Sequence, residues 1–399
     1  MTLDDLPIEN RAVLVRVDFN VPVADGRVAD DTRIRAALPT IRRLREADAR
    51  LVLMSHRGRP GGAPDPEFSM APVAKRLGEL LDVDVRLAPD CVGSDVREAV
   101  TQLQAGDVLL LENLRYHAGE TANDPGFAAE LAEIADAYVS DAFGVAHRAH
   151  ASVVGVAGIV PGAAAGELLR REVETLSQAL VDPPKPFVLI LGGAKVADKV
   201  ALIANVLPLV DRIVIGGAMA NAFLAAQGRA IGGSLAPAEA IEQAGGLLVA
   251  AEKAGVEMVL PDDLIAAPAI DDPANAHVVR EVAPDEMALD IGPDSCARFA
   301  EAIGDAQTVV WNGPMGVFET PGFDAGTRAV AAAVAKLENT AFTVIGGGDT
   351  AAAAVLFGIA ERVSHVSTGG GASLDLLSGA VLPGVEALTD RTTLGDESE

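Results

Sequence analysis

Short apolar runs, each ending in glycine or in a polar turn, alternate down the whole chain with longer segments whose apolar residues recur at helical spacing. The runs predict strands at 12–17, 51–55, 107–112 and 137–140 in the first half. In the second half they predict strands at 187–191, 212–215, 256–260, 308–311, 342–345 and 365–367. Helices are expected between them, at 33–47, 127–135, 196–209 and 351–362. A strand–helix rhythm of this kind is satisfied by parallel sheets with helices on both faces. Aromatic residues make up only 4% of the chain, so such sheets must be covered by Ala, Val, Leu and Ile. Forty glycines are too many for a helical bundle, and they cluster where strands should turn into helices.

The chain has 399 residues, enough for two domains with separate cores. A boundary is expected near 161–180. There a Gly/Ala/Pro stretch gives way to a charged helix at 167–180, and then to Asp182-Pro183-Pro184-Lys185-Pro186. The expected fold is α/β, with two doubly wound, Rossmann-like domains at 1–165 and 166–380. A C-terminal segment at 381–399 follows, and its acidic end at 389–399 is expected to be mobile.

A formal net charge of −26 excludes nucleic acid and anionic membranes as general partners, since both require a basic surface. Only six of the 31 basic residues are lysine, a balance that suits a salt-rich cytoplasm. Cys91 and Cys296 lie far apart and make neither a disulfide framework nor a metal cluster. The N-terminal residues lack a basic stretch followed by an apolar one, and no uncharged run is long enough to span a membrane. A cytoplasmic enzyme is the expectation.

The unusual residues fall just after predicted strands, where open parallel sheets bind ligands. In the first half these clusters are cationic. They comprise Asp18-Phe19-Asn20-Val21-Pro22 with Arg33, Ser55-His56-Arg57-Gly58-Arg59-Pro60, Asn113-Leu114-Arg115-Tyr116-His117, and Asp141 through His150 with Arg148. One arginine in an acidic protein reads as a surface ion pair. Four successive loops bearing arginine or histidine read as an anion site, because guanidinium forks pair with carboxylate and phosphate.

The second half carries glycines instead, starting with Gly192-Gly193-Ala194-Lys195-Val196-Ala197-Asp198-Lys199, followed by Gly216-Gly217, Gly346-Gly347-Gly348-Asp349-Thr350 and Gly369-Gly370-Gly371. Glycine turns that open helices let a backbone approach phosphate. Lys195 and Lys199, four apart, are expected to share one helix face. The Gly-Lys-Ser/Thr order of a Walker loop is missing. Asp349 fits two roles on spacing alone, a helix N-cap or a carboxylate on the Mg²⁺ that accompanies nucleotide. Trp311 through Glu319 fits either a nucleoside wall or an ordinary loop.

Taken in order, these motifs resemble the phosphoglycerate kinases from about residue 10 to residue 385. The resemblance implies a hinge between the domains that closes around the ligands. It also implies a C-terminal segment that packs back on the first domain, a monomer, and Mg²⁺ with ATP or ADP. On the substrate side it implies 3-phosphoglycerate or 1,3-bisphosphoglycerate held by Asp18, Asn20, Arg33, His56, Gly58, Arg59, Arg115 and Arg148. Arg57, where the family usually has an apolar residue, is an added candidate. Nucleotide is implied at Gly193, Ala194, Gly216, Gly217, Asn312, Pro314, Glu319, Gly347, Gly348, Asp349 and Thr350. Arg33, Lys195 and Lys199 would neutralise the group in flight, and Asp349 would meet Mg²⁺. Two rivals fit less well. A nicotinamide-dependent dehydrogenase lacks its early Gly-x-Gly-x-x-Gly, and a non-catalytic homologue leaves the lysines and Asp349 without a role.

Overall fold

The computed structural model describes residues 1–388, so the expectation for 389–399 lies outside them. The described residues divide into two compact units, 1–174 with 381–388, and Thr175–Ala380; the division falls inside the helix Glu167–Gln178.

The first unit is built on six strands, all parallel. They run in the order Val85–Leu87, Val108–Leu110, Arg50–Met54, Ala12–Val17, Ala137–Asp141 and Ala163–Ala165. Strand Ala12–Val17 is buried along its whole length, as a central strand covered on both faces requires. Val13, Val15 and Val17 enter one core with Ile34, Ile41 and Leu77, whereas Ala12 and Leu14 enter the other with Leu131 and Tyr138. Chain order reverses between Ala12–Val17 and Ala137–Asp141, the kind of switch point at which a crevice opens beyond the strand ends.

The end of Ala137–Asp141 is tied to the long helix through Asp141, which is fully buried. Its Oδ1 accepts the Leu168 and Leu169 N–H groups at 2.9 and 3.3 Å, and burial pushes its pKa up to about 7. The short helix Pro383–Glu386 belongs to this unit, where the Gly384 N–H donates to the Ala146 carbonyl at 2.8 Å.

The second unit repeats the plan. Its parallel order is Glu257–Val259, Arg212–Ile215, Phe187–Leu191, Thr308–Asn312, Phe342–Gly346 and His365–Val366. The switch point lies between Phe187–Leu191 and Thr308–Asn312. A separate antiparallel sheet of His277–Val279, Leu264–Ala267 and Met287–Ile291, absent from the strand expectations, adds to this unit. No helix among the described residues is long and apolar enough to cross a membrane.

Candidate active site

In the first unit the strand ends deliver their loops to one edge, and a buried network behind that edge orients them. Arg16, on the central strand, has no solvent exposure. Its Nε donates to Ser152 Oγ at 2.8 Å, its Nη1 to the Val17 carbonyl, and its Nη2 lies 3.1 Å from His56 Nδ1. A guanidinium can only donate, so His56 Nδ1 accepts and the ring proton sits on Nε2. Burial, and the charges of Arg16, Arg115, Arg148 and Arg33, push the His56 pKa well below the usual range. His56 is therefore a neutral hydrogen-bond donor at neutral pH.

Ser152 passes the network on to Glu120, donating from Oγ at 2.6 Å and from its N–H at 2.9 Å. Burial opposes the Glu120 charge, yet His150, Arg16 and the two Ser152 bonds outweigh it and hold the carboxyl below its usual range. Arg16, Ser152 and Glu120 were not read as functional from the sequence, and their separation of up to 136 positions explains why.

In front of this network lies a cavity of about 530 Å³ lined by Arg59, Gly61, Gly62, Arg115, Arg148 and His150 among others. Asn113, fully buried, sets the turn Leu114–Tyr116 by accepting the Arg115 N–H at 3.0 Å. The Arg115 side chain donates from Nη1 to the Gly58 carbonyl at 2.7 Å, while its buried Nε has no partner among the described residues. Asn20 Oδ1 accepts the Gly58 N–H at 3.0 Å, and Asp18 pairs with Arg33 Nη1 at 2.7 Å. Asp18, Asn20, Arg33, His56, Gly58, Arg59, Arg115 and Arg148 are thus gathered at one sheet edge.

Arg57 is not among them. Gly58 takes φ +61° beside Phe68, and the Arg57 guanidinium points into the loop that follows. It donates to the Glu67 carbonyl and, at 3.2 Å, to the Ser69 carbonyl, with its carbon 5.7 Å from the Phe68 ring centroid. It is a buried loop brace, and the expectation of an added anion contact is corrected.

In the second unit, glycines let three loops pack backbone to backbone at the switch point. The Gly193 N–H donates to the Pro314 carbonyl at 2.9 Å, and the Gly217 N–H to the Met315 carbonyl at 3.0 Å. Gly217 sits at φ +61°, and a Cβ there would lie 2.5 Å from the Gly193 nitrogen. Gly216 is held as closely, since its Cβ would overlap the Met315 sulfur. Behind the loops, Lys199 is buried and donates from Nζ to Asn312 Oδ1. Burial pushes its pKa down to about 8, against the opposing pull of Asp198 and Asp349. Asn312 Nδ2 is buried without a partner among the described residues.

The helix here begins at Ala197, so Lys195 precedes it in an exposed turn. The two lysines do not share a helix face, because the glycine turn runs longer than the apolar spacing implied. Gly347, at φ +94°, caps the helix Gly348–Leu356, which leaves Asp349 in its first turn rather than at the cap. The Thr350 hydroxyl is buried and accepts the Gly313 N–H at 2.7 Å, so it holds the loop.

A cavity of about 350 Å³ has Gly193, Ala194, Gly217, Pro314, Glu319 and Asp349 on its walls, with Leu235, Leu264 and Met287 supplying apolar surface. Among the described residues the Asp349 carboxylate accepts no hydrogen bond. A carboxylate without a hydrogen-bond donor, in the first turn of a helix and on the wall of a glycine-lined cavity, fits a hard cation such as Mg²⁺.

A family profile described as phosphoglycerate kinase matches residues 3–380. A phosphoglycerate kinase from Moorella thermoacetica is 54% identical over 98% of this chain and 99% of its own length. One from Pelotomaculum thermopropionicum is 52% identical with the same coverage. Among solved structures, a phosphoglycerate kinase from Coxiella burnetii superposes with a TM-score of 0.87 at 42% identity, covering 98% of this chain and 99% of that one.

Proposed function

The chain belongs to the phosphoglycerate kinase family, and on that premise we propose which of its residues hold each substrate. The family's activity, carboxyl-acceptor phosphoryl transfer in glycolysis and gluconeogenesis, is its activity too. The reaction is 1,3-bisphosphoglycerate plus ADP giving 3-phosphoglycerate plus ATP, reversibly.

We assign the phosphorylated acid to the first unit. The observation that carries this is the neutral, fully oriented His56 set among four arginine charges, with the orphaned Arg115 Nε beside it. A phosphorylated carboxylic acid supplies the acceptors these donors lack. Nucleotide is assigned to the glycine loops of the second unit. There the backbone at Gly193, Gly217 and Gly347–Gly348 accepts close approach, Lys199 meets the phosphates, and Glu319 and Pro314 flank the nucleoside. Asp349 would hold Mg²⁺, which offsets phosphate charge when bound with nucleotide.

In the ATP-consuming direction the nucleophile is a substrate carboxylate already ionised at neutral pH, so no general base is required. What remains is positioning and charge neutralisation. Arg33 and Lys199 supply fixed positive charge, and His56 and Arg115 orient the acid. A cytoplasmic monomer completes the proposal.

The test exploits Arg59, which is exposed, lines the cavity of the first unit and makes no ion pair among the described residues. Losing a charge-assisted contact of about 1.5–3 kcal/mol, Arg59→Ala should raise KM for 3-phosphoglycerate by about tenfold or more, with KM for ATP unchanged. Steady-state kinetics that showed the reverse pattern would place the acid elsewhere.

A further inference from the structure

Beside the cavity of the first unit, which His117 also lines, sits a group of side chains to which phosphoryl transfer gives no role. Asp90 and Cys91 occupy the loop between strand Val85–Leu87 and helix Ser94–Thr101. His117 closes the turn Leu114–Tyr116 and leads into helix Ala118–Ala122. One ligand atom from each of Asp90, Cys91 and His117 lies within 4.8 Å of the others. We propose that Asp90, Cys91 and His117 form a binding site for one thiophilic divalent cation of the Zn²⁺ class.

The donor set is one thiolate, one imidazole and one carboxylate. Borderline-soft cations take such a set, whereas Mg²⁺ prefers oxygen alone. Three protein ligands leave a fourth tetrahedral position for water. The donors are held in place. His117 stacks on Phe127 with ring centroids 4.8 Å apart and planes 22° from parallel, which fixes the ring. Its Nε2 lies at hydrogen-bond distance from Asp90 Oδ1, 2.6 Å, and binding exchanges that hydrogen bond for a metal–nitrogen bond. The same Oδ1 accepts the Cys91 N–H at 2.6 Å, which leaves Oδ2 to turn toward an ion.

Cys91 is fully buried, and its Sγ donates to the Glu112 carbonyl at 3.0 Å. Access is from the Asp90 and His117 side, since both side chains are partly exposed. Binding breaks the Cys91 S–H bond, forms the metal–sulfur bond and releases that proton to solvent; His117 Nε2 must also be free of its proton. Affinity should therefore rise with pH. The sequence alone hid this site, because a lone cysteine gives no sign that a histidine 26 positions later folds against it.

The probe is Cd²⁺ added to the full chain without nucleotide or Mg²⁺, read by its thiolate charge-transfer absorption and by calorimetry. One saturable equivalent is expected. Cys91→Ser should abolish the absorption and Cys296→Ser should leave it intact. Asp90→Asn and His117→Gln should each weaken Cd²⁺ binding by about tenfold or more, since losing even an outer-shell partner of a metal ligand costs that much. A band that survives Cys91→Ser, or that follows Cys296, overturns the site, as does the absence of any saturable band. If Cys91→Ser does not fold, the partly exposed pair decides. Unchanged affinity in both Asp90→Asn and His117→Gln overturns the proposal, and weakening in both sustains it.

Discussion

Replacing Lys199 by methionine is expected to lower kcat by about 10²–10³-fold, the usual loss when one preorganised charge-stabilising group leaves an active site. The folded state should not suffer. Burial depresses the Lys199 pKa to about 8, so the protein binds the charged form less well than solvent does, and at neutral pH that charge opposes folding. Removing it while keeping the length of the side chain relieves that cost but leaves Asn312 Oδ1 without its donor, so the two effects oppose and the unfolding midpoint should change little. Activity and stability therefore move apart, which a merely structural lysine would not allow. The same pKa fixes a pH dependence. As pH rises through about 8 the free enzyme loses this charge, so KM for ATP should climb in the wild type. In Lys199→Met that inflection should disappear. A kcat within threefold of wild type would remove Lys199 from the chemistry.

Gly313→Ala is the second large effect, and it acts on stability. Gly313 takes φ +104°, and an added Cβ would overlap the Gly192 backbone. The neighbouring atom is peptide, so no side chain can swing away. Disfavoured φ and steric crowding each cost about 1–3 kcal/mol, and together they should remove about 3 kcal/mol or more. The loop also loses alignment with Thr350, so KM for ATP should rise. Denaturant unfolding of the second unit, followed by the single tryptophan Trp311, checks this. A midpoint equal to wild type would mean that the three loops are not packed as described.

Much of this was legible in the sequence because parallel strands buried on both faces read as unbroken apolar runs. The strands Ala12–Val17, Phe187–Leu191 and Arg212–Ile215 fall where the pattern puts them. Ala163–Ala165 was not legible, since three alanines carry no strand preference; pairing with Tyr138, Val139 and Ser140 makes them a strand. Val85–Leu87 alternates with charge and gave no run. The three-stranded antiparallel sheet rests on short segments joined by register rather than by composition.

In the site, the clustering of arginines after strands was visible, but not the direction each one takes. Arg57 and Arg59 are two positions apart, and the left-handed turn at Gly58 sends one into a loop and leaves the other at the cavity. The Arg16–His56 contact that fixes a tautomer spans 40 positions, and no local pattern encodes it.

The most direct measurement is turnover itself. The purified chain, given 3-phosphoglycerate and MgATP and coupled to reduction of the acyl phosphate it forms, should consume nucleotide only when the acid is present, at one or more salt concentrations from dilute buffer to molar salt. Catalysis in both directions, slowed about 10²–10³-fold in Lys199→Met and shifted in KM for the acid alone by Arg59→Ala, is the predicted result. No acid-dependent turnover at any salt concentration, from protein that is folded and binds ATP, would contradict it.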